Sequence, residues 1–198
     1  MNGSNEKPGR GRPRKLNKAK VAEAAMQAYW EDGPTEVSLN AICQRAGVSK
    51  PSVYRDFGND DGLAQAALQT YAETVLVKLL AITESDAHFV EKLRQMAHLS
   101  SEDALHEQGC LFVKMRAAKD QMGPKTQELI TQIDAMALDA FAKVLVEGRE
   151  SGQWSGSIPV ALGAKYLHAQ IGLALDQRAR GEDPKAILDL ALSVLERT

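Results

Sequence analysis

The chain has 198 residues, 44% hydrophobic and 25% charged, a balance that fits a globular protein with a real core. Two cysteines without CxxC spacing exclude a disulfide framework and a zinc site, four scattered histidines without HExxH argue against a metal, and we expect no cofactor. The formal net charge of -2 hides an asymmetry: residues 1–58 sum to +4 and residues 59–198 to -6, so a basic front part sits on an acidic body. The longest apolar stretch, 75–82, is interrupted by Lys78, so no segment reaches the roughly 18 apolar residues a membrane span needs. No apolar segment follows the basic start, and a cytoplasmic location without membrane partners is expected.

In chain order, residues 1–17 are rich in Gly, Pro and basic side chains with no apolar face, and are expected to be disordered in isolation. From Leu16 the sequence reads as all-α, about nine helices divided by Gly/Pro punctuation, with no alternating run that suggests a strand. The expected helices are 18–32 (stopped by Gly33-Pro34), 39–46, 50–57, 60–83, 86–99, 108–122 (stopped by Gly123-Pro124), 125–151, 160–180 and 184–197, the last with Asp183 and Pro184 as starting signals. The expected domains are a basic arm at 1–17, a helix-turn-helix domain at 18–58 and a larger helical domain at 59–198.

The segment 37–63 carries the most information. Ser38 can cap a helix whose Leu39, Ile42 and Ala46 share one face; Gly47 then permits a left-handed turn, and Val48 plugs it. Ser49 caps the next helix, and Pro51 is tolerated in its first turn. Val53 and Phe57, four residues apart, face inward, which leaves Lys50, Pro51, Ser52, Tyr54 and Arg55 outside. Two short helices joined by a tight glycine turn have the geometry of a helix-turn-helix, whose second helix enters the major groove. A plain helical hairpin with Tyr54 in the core is the bland alternative. Before the first helix, Arg10, Arg12, Arg14 and Lys15 form an Arg-Gly-Arg-Pro-containing arm similar to an AT-hook core, suited to a narrow A·T minor groove or serving only as a solvated basic tail.

The string AGVSKPSVYRDFG, preceded by SLNAIC and followed by a long helix, resembles the TetR family of regulators. The likeness covers about 18–63; the remainder agrees only in helix number and length. It implies that Ser38 and Tyr54 hold phosphates while Lys50, Pro51, Ser52 and Arg55 face the groove, with Ser49 at the start of the reading helix. Asp56 and Asp60 stand where many members carry His and Lys, so the phosphate clamp at the fourth helix is expected to be absent or weakened.

The large domain is expected to dimerise and to sense a small-molecule effector. Gly163, Leu167, Ile171 and Ala174 on the eighth helix, with Leu188, Ala191 and Leu195 on the ninth, recur at 3–4 spacing and suggest a four-helix homodimer interface, with a simple buried core as the alternative. Met96, Cys110, Phe112, Met115, Phe141, Trp154, Tyr166, His168 and Gln170 are the candidate pocket residues, with simple core packing as the alternative for each. Cys110 follows Gly109 at a helix start, where the dipole could lower a thiol pKa. No catalytic set is apparent, and the chain reads as a sequence-specific regulator on a palindromic double-stranded operator, released by its effector. The rival is an architectural A·T-rich DNA binder without ligand sensing.

Overall fold

The computed structural model describes residues 17–196; the arm with Arg10, Arg12, Arg14 and Lys15 lies outside them. Among the described residues there are nine α-helices and no strand: α1 Lys18–Asp32, α2 Leu39–Ala46, α3 Lys50–Phe57, α4 Asp60–Glu84, α5 Phe89–Ser101, α6 Leu111–Ala117, α7 Pro124–Glu150, α8 Val160–Ala179 and α9 Lys185–Glu196. Among these none is long and apolar enough to cross a membrane.

Local chemistry sets the first four. Asn17, Ser38 and Asn59 each accept a backbone N–H in the first turn of α1, α2 and α4, at 3.4, 3.2 and 2.9 Å, replacing intrahelical bonds that the terminus lacks. Gly47 ends α2 at φ 64°, ψ 36°, a left-handed conformation costly for any residue with a Cβ, and the Val48 N–H closes on the Cys43 carbonyl at 3.0 Å.

Two cores stack along the molecule. The first joins Val21, Ala25 and Ala28 of α1, Ile42 of α2 and Val53 of α3 to Leu63, Ala67, Leu68 and Tyr71 of α4, then continues into Leu111 and Met115 of α6 and Ile130 of α7. The second gathers Phe89, Leu93 and Met96 of α5, Phe141 and Leu145 of α7, Leu167 of α8 and Leu195 of α9. At 25 residues α4 is about 37 Å long; its first half lies in the first core, while Leu79 and Ile82 pack on the second. Together, α4 and α7 form the spine against which α1, α5, α6 and α8 pack, while α2 rests on α1 and α9 on α8.

Three sequence expectations need correction. Helix α5 begins at Phe89 and not at 86, because the Phe89 N–H is taken by Gln153 Oε1 at 2.6 Å, from the loop after α7. Helix α6 is shorter than expected. Gly109, at φ 80°, is pressed against α8, where a Cβ would collide with Ala179, and it stays outside the helix. After Ala117 the chain tightens into a 3-10 turn, Lys119–Gln121.

The third concerns α8 and α9. Gly163, Leu167, Ala174, Leu188, Ala191 and Leu195 are buried within the single chain, and Ile171 is half-buried between the two cores. That stripe of small and large residues is spent on intrachain packing. Another face is open: Leu162 (57% exposed) and Leu173 (42%) on α8, Leu190 (66%) and Val194 (39%) on α9.

Candidate nucleic-acid interface and internal cavity

Helix α3 rests on the first core through fully buried Val53 and half-buried Phe57. Lys50, Pro51, Tyr54 and Arg55 are exposed and Ser52 is half-buried, so these five form the outward face. Ser49 sits at the N-cap but makes no side-chain cap; its hydroxyl pairs with that of Ser52 at 2.9 Å. Ser38 is exposed while it caps α2. Arg55 leans on its neighbour Asp56 at 3.3 Å, and Arg45 is held by Glu31 and Asp32 of α1 at 3.2 and 2.6 Å. The nearby Asp60 carboxylate raises the Tyr54 phenol pKa above its ordinary value. The phenol therefore remains a proton donor.

Asp61 does something the sequence did not reveal. It turns from the start of α4 to the start of α7, where its carboxylate accepts the Lys125 N–H (3.0 Å), the Thr126 N–H (3.0 Å) and the Thr126 hydroxyl (2.7 Å). Its carboxylate thus does the capping that the N-cap residue Gly123 cannot, for a helix more than sixty residues away. Burial pushes its pKa up, but these hydrogen bonds outweigh that effect and hold the carboxyl below its ordinary 3.8. A second connection joins α1 to α6. Trp30 Nε1 donates to the Gly109 carbonyl at 3.0 Å, and Lys114 Nζ donates to the Trp30 carbonyl at 2.6 Å.

Between α4, α5, α6, α7 and α8 lies a cavity of about 90 Å³, lined by Tyr71, Met96, His106, Cys110, Phe112, Arg116, Phe141 and His168 among others. Of the nine candidate pocket residues, Met96, Cys110, Phe112, Phe141 and His168 lie on this wall. Met115 is in the first core; Trp154 is in the second, stacked on Phe89 at 6.0 Å; Tyr166 packs against the second core, and Gln170 lines a small gap facing α5 and α9.

At one side of the cavity Arg116 Nη1 meets Asp134 Oδ1 at 3.0 Å and the His168 ring at 3.1 Å, while its guanidinium lies over Phe112. Burial and then Arg116 lower the His168 pKa against the pull of Asp134, so the imidazole is neutral near pH 7. Burial pushes the Cys110 thiol up by more than the nearby Tyr71 hydroxyl lowers it, which overrides the expected helix-start effect and keeps it a thiol. Sequence reasoning missed Tyr71, His106 and Arg116. Only Arg116 left a signal, four residues after Phe112 and hence on the same helical face.

A helix-turn-helix head with an exposed second helix stands on an all-helical body that holds an apolar cavity, an arrangement suited to a DNA-binding regulator. Residues 21–67 match the family described as bacterial regulatory proteins, tetR family. The chain is similar to the HTH-type transcriptional repressor ComR of Escherichia coli, 31% identical over 36% of this chain but only 34% of that protein. It is also similar to the HTH-type transcriptional regulator NfxB of Pseudomonas aeruginosa, 27% identical over 73% of this chain and 74% of that one. A solved structure of the regulator CifR, in complex with a 26-bp operator duplex, superposes with TM-score 0.73 at 20% identity, over 93% of this chain and 98% of that one. The match to the tetR family model thus covers the reading head, residues 21–67, and beyond it the chain shares its fold with solved regulators.

Proposed function

We propose that this protein is a repressor that binds a palindromic operator as a homodimer and leaves it when a small molecule enters the cavity. The observation that carries this reading is the outward face of α3: Lys50, Pro51, Ser52, Tyr54 and Arg55 stand together over a buried Val53. Residues 18–58 act as the reading head and 59–198 as the sensing and dimerising body, with the 1–17 arm supplying extra phosphate or minor-groove contacts. Lys50 and Ser52 read base edges near the helix start, and Tyr54 and Ser38 donate to phosphates. The homodimer forms through the open side of α8 and α9, because Leu162, Leu173, Leu190 and Val194 are apolar and exposed on two helices that pack on each other. Two heads can then read half-sites about 34 Å apart.

The route from cavity to DNA is mechanical. Helix α6 supplies Phe112, Val113 and Arg116 to the cavity wall, and through Lys114 and the preceding Gly109 it holds the end of α1. Helix α4 supplies Tyr71 to the same wall and is fixed to α7 by Asp61. A ligand that spreads α6 from α4 therefore tilts the head. Any ligand favouring the tilted state weakens operator binding, and the operator weakens ligand binding by the same factor.

Selection of bound DNA from a random pool, followed by titration with variants, tests the reading. Tyr54→Phe is expected to weaken binding by a similar several-fold factor on every sequence. Lys50→Ala is expected to change base preference, at a cost of about 1–3 kcal/mol on the selected site. Uniform coverage of A·T-rich DNA with no short palindrome, or a change of preference with Tyr54→Phe alone, contradicts it.

A further inference from the structure

We propose that the cavity selects a neutral, mainly apolar molecule bearing a hydroxyl group, a phenol or a small alcohol, whose O–H donates to His106 Nε2. This rests on the reading of the cavity as the effector site and specifies the chemistry that site takes.

Two polar atoms at the cavity wall have no partner: His106 Nε2 and the Tyr71 hydroxyl. Both residues are almost completely buried, at 2% and 1% exposure. His106 Nδ1 lies 3.0 Å from the Leu99 carbonyl, which only accepts, so Nδ1 carries the proton. Nε2 is then a bare lone pair. Burial lowers the His106 pKa, so the ring stays neutral and Nε2 needs a donor from outside the chain. The Tyr71 hydroxyl has the Cys110 thiol nearby, yet no hydrogen bond of acceptable geometry. A ligand hydroxyl donates to His106 and has lone pairs left for Tyr71. The cost of leaving such groups unsatisfied turns this into selectivity, because a ligand without the hydroxyl leaves both orphaned.

Charge narrows the class further. The Arg116 guanidinium is already matched by Asp134 at 3.0 Å, and His168 is neutral. An anionic ligand finds no unpaired cation there, and a cationic one finds no free carboxylate on a wall that is otherwise nearly all apolar. The volume of about 90 Å³ suits a molecule of one ring.

Calorimetric titration of the full chain with p-cresol, toluene and 4-methylbenzoate decides this. We expect p-cresol to bind at least tenfold tighter than either of the others. His106→Leu and, separately, Tyr71→Phe should bring p-cresol towards the toluene affinity while leaving toluene unchanged, which mere damage to the cavity would not do. Equal binding of toluene and p-cresol, tightest binding of 4-methylbenzoate, or no detectable binding of any of the three overturns the proposal. Adding the same probes to the protein on its selected operator separates the two readings: p-cresol that binds as expected without weakening the DNA complex preserves the ligand chemistry and removes the effector role.

Discussion

Replacing Leu173 and Leu190 together by Asp is expected to convert the protein to monomers and to lower operator affinity at least a hundredfold. Both side chains reach solvent in the single chain, Leu190 more than Leu173, so the charges meet water in the monomer and should leave its fold intact. In the homodimer they would be buried against a second copy, where each leucine contributes about 1.5–3 kcal/mol. A two-fold axis places each substitution in the interface twice, and an unpaired buried carboxylate adds a further penalty. Loss of the dimer uncouples the two heads, so one head must hold DNA alone. Size exclusion, circular dichroism and operator titration check the three parts. A variant that stays dimeric moves the interface elsewhere; a monomer with undiminished affinity removes the two-headed reading. The matching change Leu167→Asp should instead unfold the chain, since Leu167 is 2% exposed within one chain.

The contrast between Leu167 and Leu173 also shows where sequence reading stops. Helix α8 has apolar residues on two faces, one at Gly163, Leu167 and Ala174 and the other at Leu162, Ala169 and Leu173. Spacing identifies both as faces, but only the neighbours supplied by α5, α7 and α9 decide which is covered within the chain. The head was legible because its logic is local. The Ser38 cap, the left-handed Gly47 and the inward Val53 each depend on residues within a few positions, and the structure has all three. The cavity was legible only in part. Met96, Cys110, Phe112, Phe141 and His168 come from α5, α6, α7 and α8, and their convergence is a property of topology. Nothing in the spacing of α4 singles out Tyr71. His106 stood in a connection without periodicity, and its importance lies in which of its nitrogens is left without a partner. The short α6 has the same cause. Gly109 is claimed by Trp30 and pressed on Ala179, both remote in sequence.

Asp61→Ala is expected to destabilise the fold by about 1–3 kcal/mol, because it removes the carboxylate that caps α7 and leaves the Lys125 and Thr126 N–H groups without their acceptor. The sign of the pH dependence follows from the lowered Asp61 pKa. A carboxylate whose folded pKa is depressed contributes fully above its unfolded value, and the contribution fades as pH falls through the folded one. The difference between the wild-type protein and Asp61→Asn should therefore be constant near neutrality and shrink in the acid range below the ordinary carboxyl value. Denaturant midpoints across that range measure it, and a difference that grows on acidification contradicts the assignment. Gly123 supplies an independent check. It precedes Pro124 at φ -73°, a conformation any residue adopts, yet a Cβ there would collide with the Asp61 side chain. Gly123→Ala is thus destabilising for one reason only, the crowding of Asp61. When Gly123→Ala is combined with Asp61→Ala, the carboxylate is gone and only the Cβ that remains at position 61 still crowds the new methyl, so the two losses should be less than additive. Additive losses would mean that Asp61 and the start of α7 do not act on one another, and the connection between the reading head and the body would then rest on the shared first core and on the Trp30–Gly109 and Lys114–Trp30 hydrogen bonds.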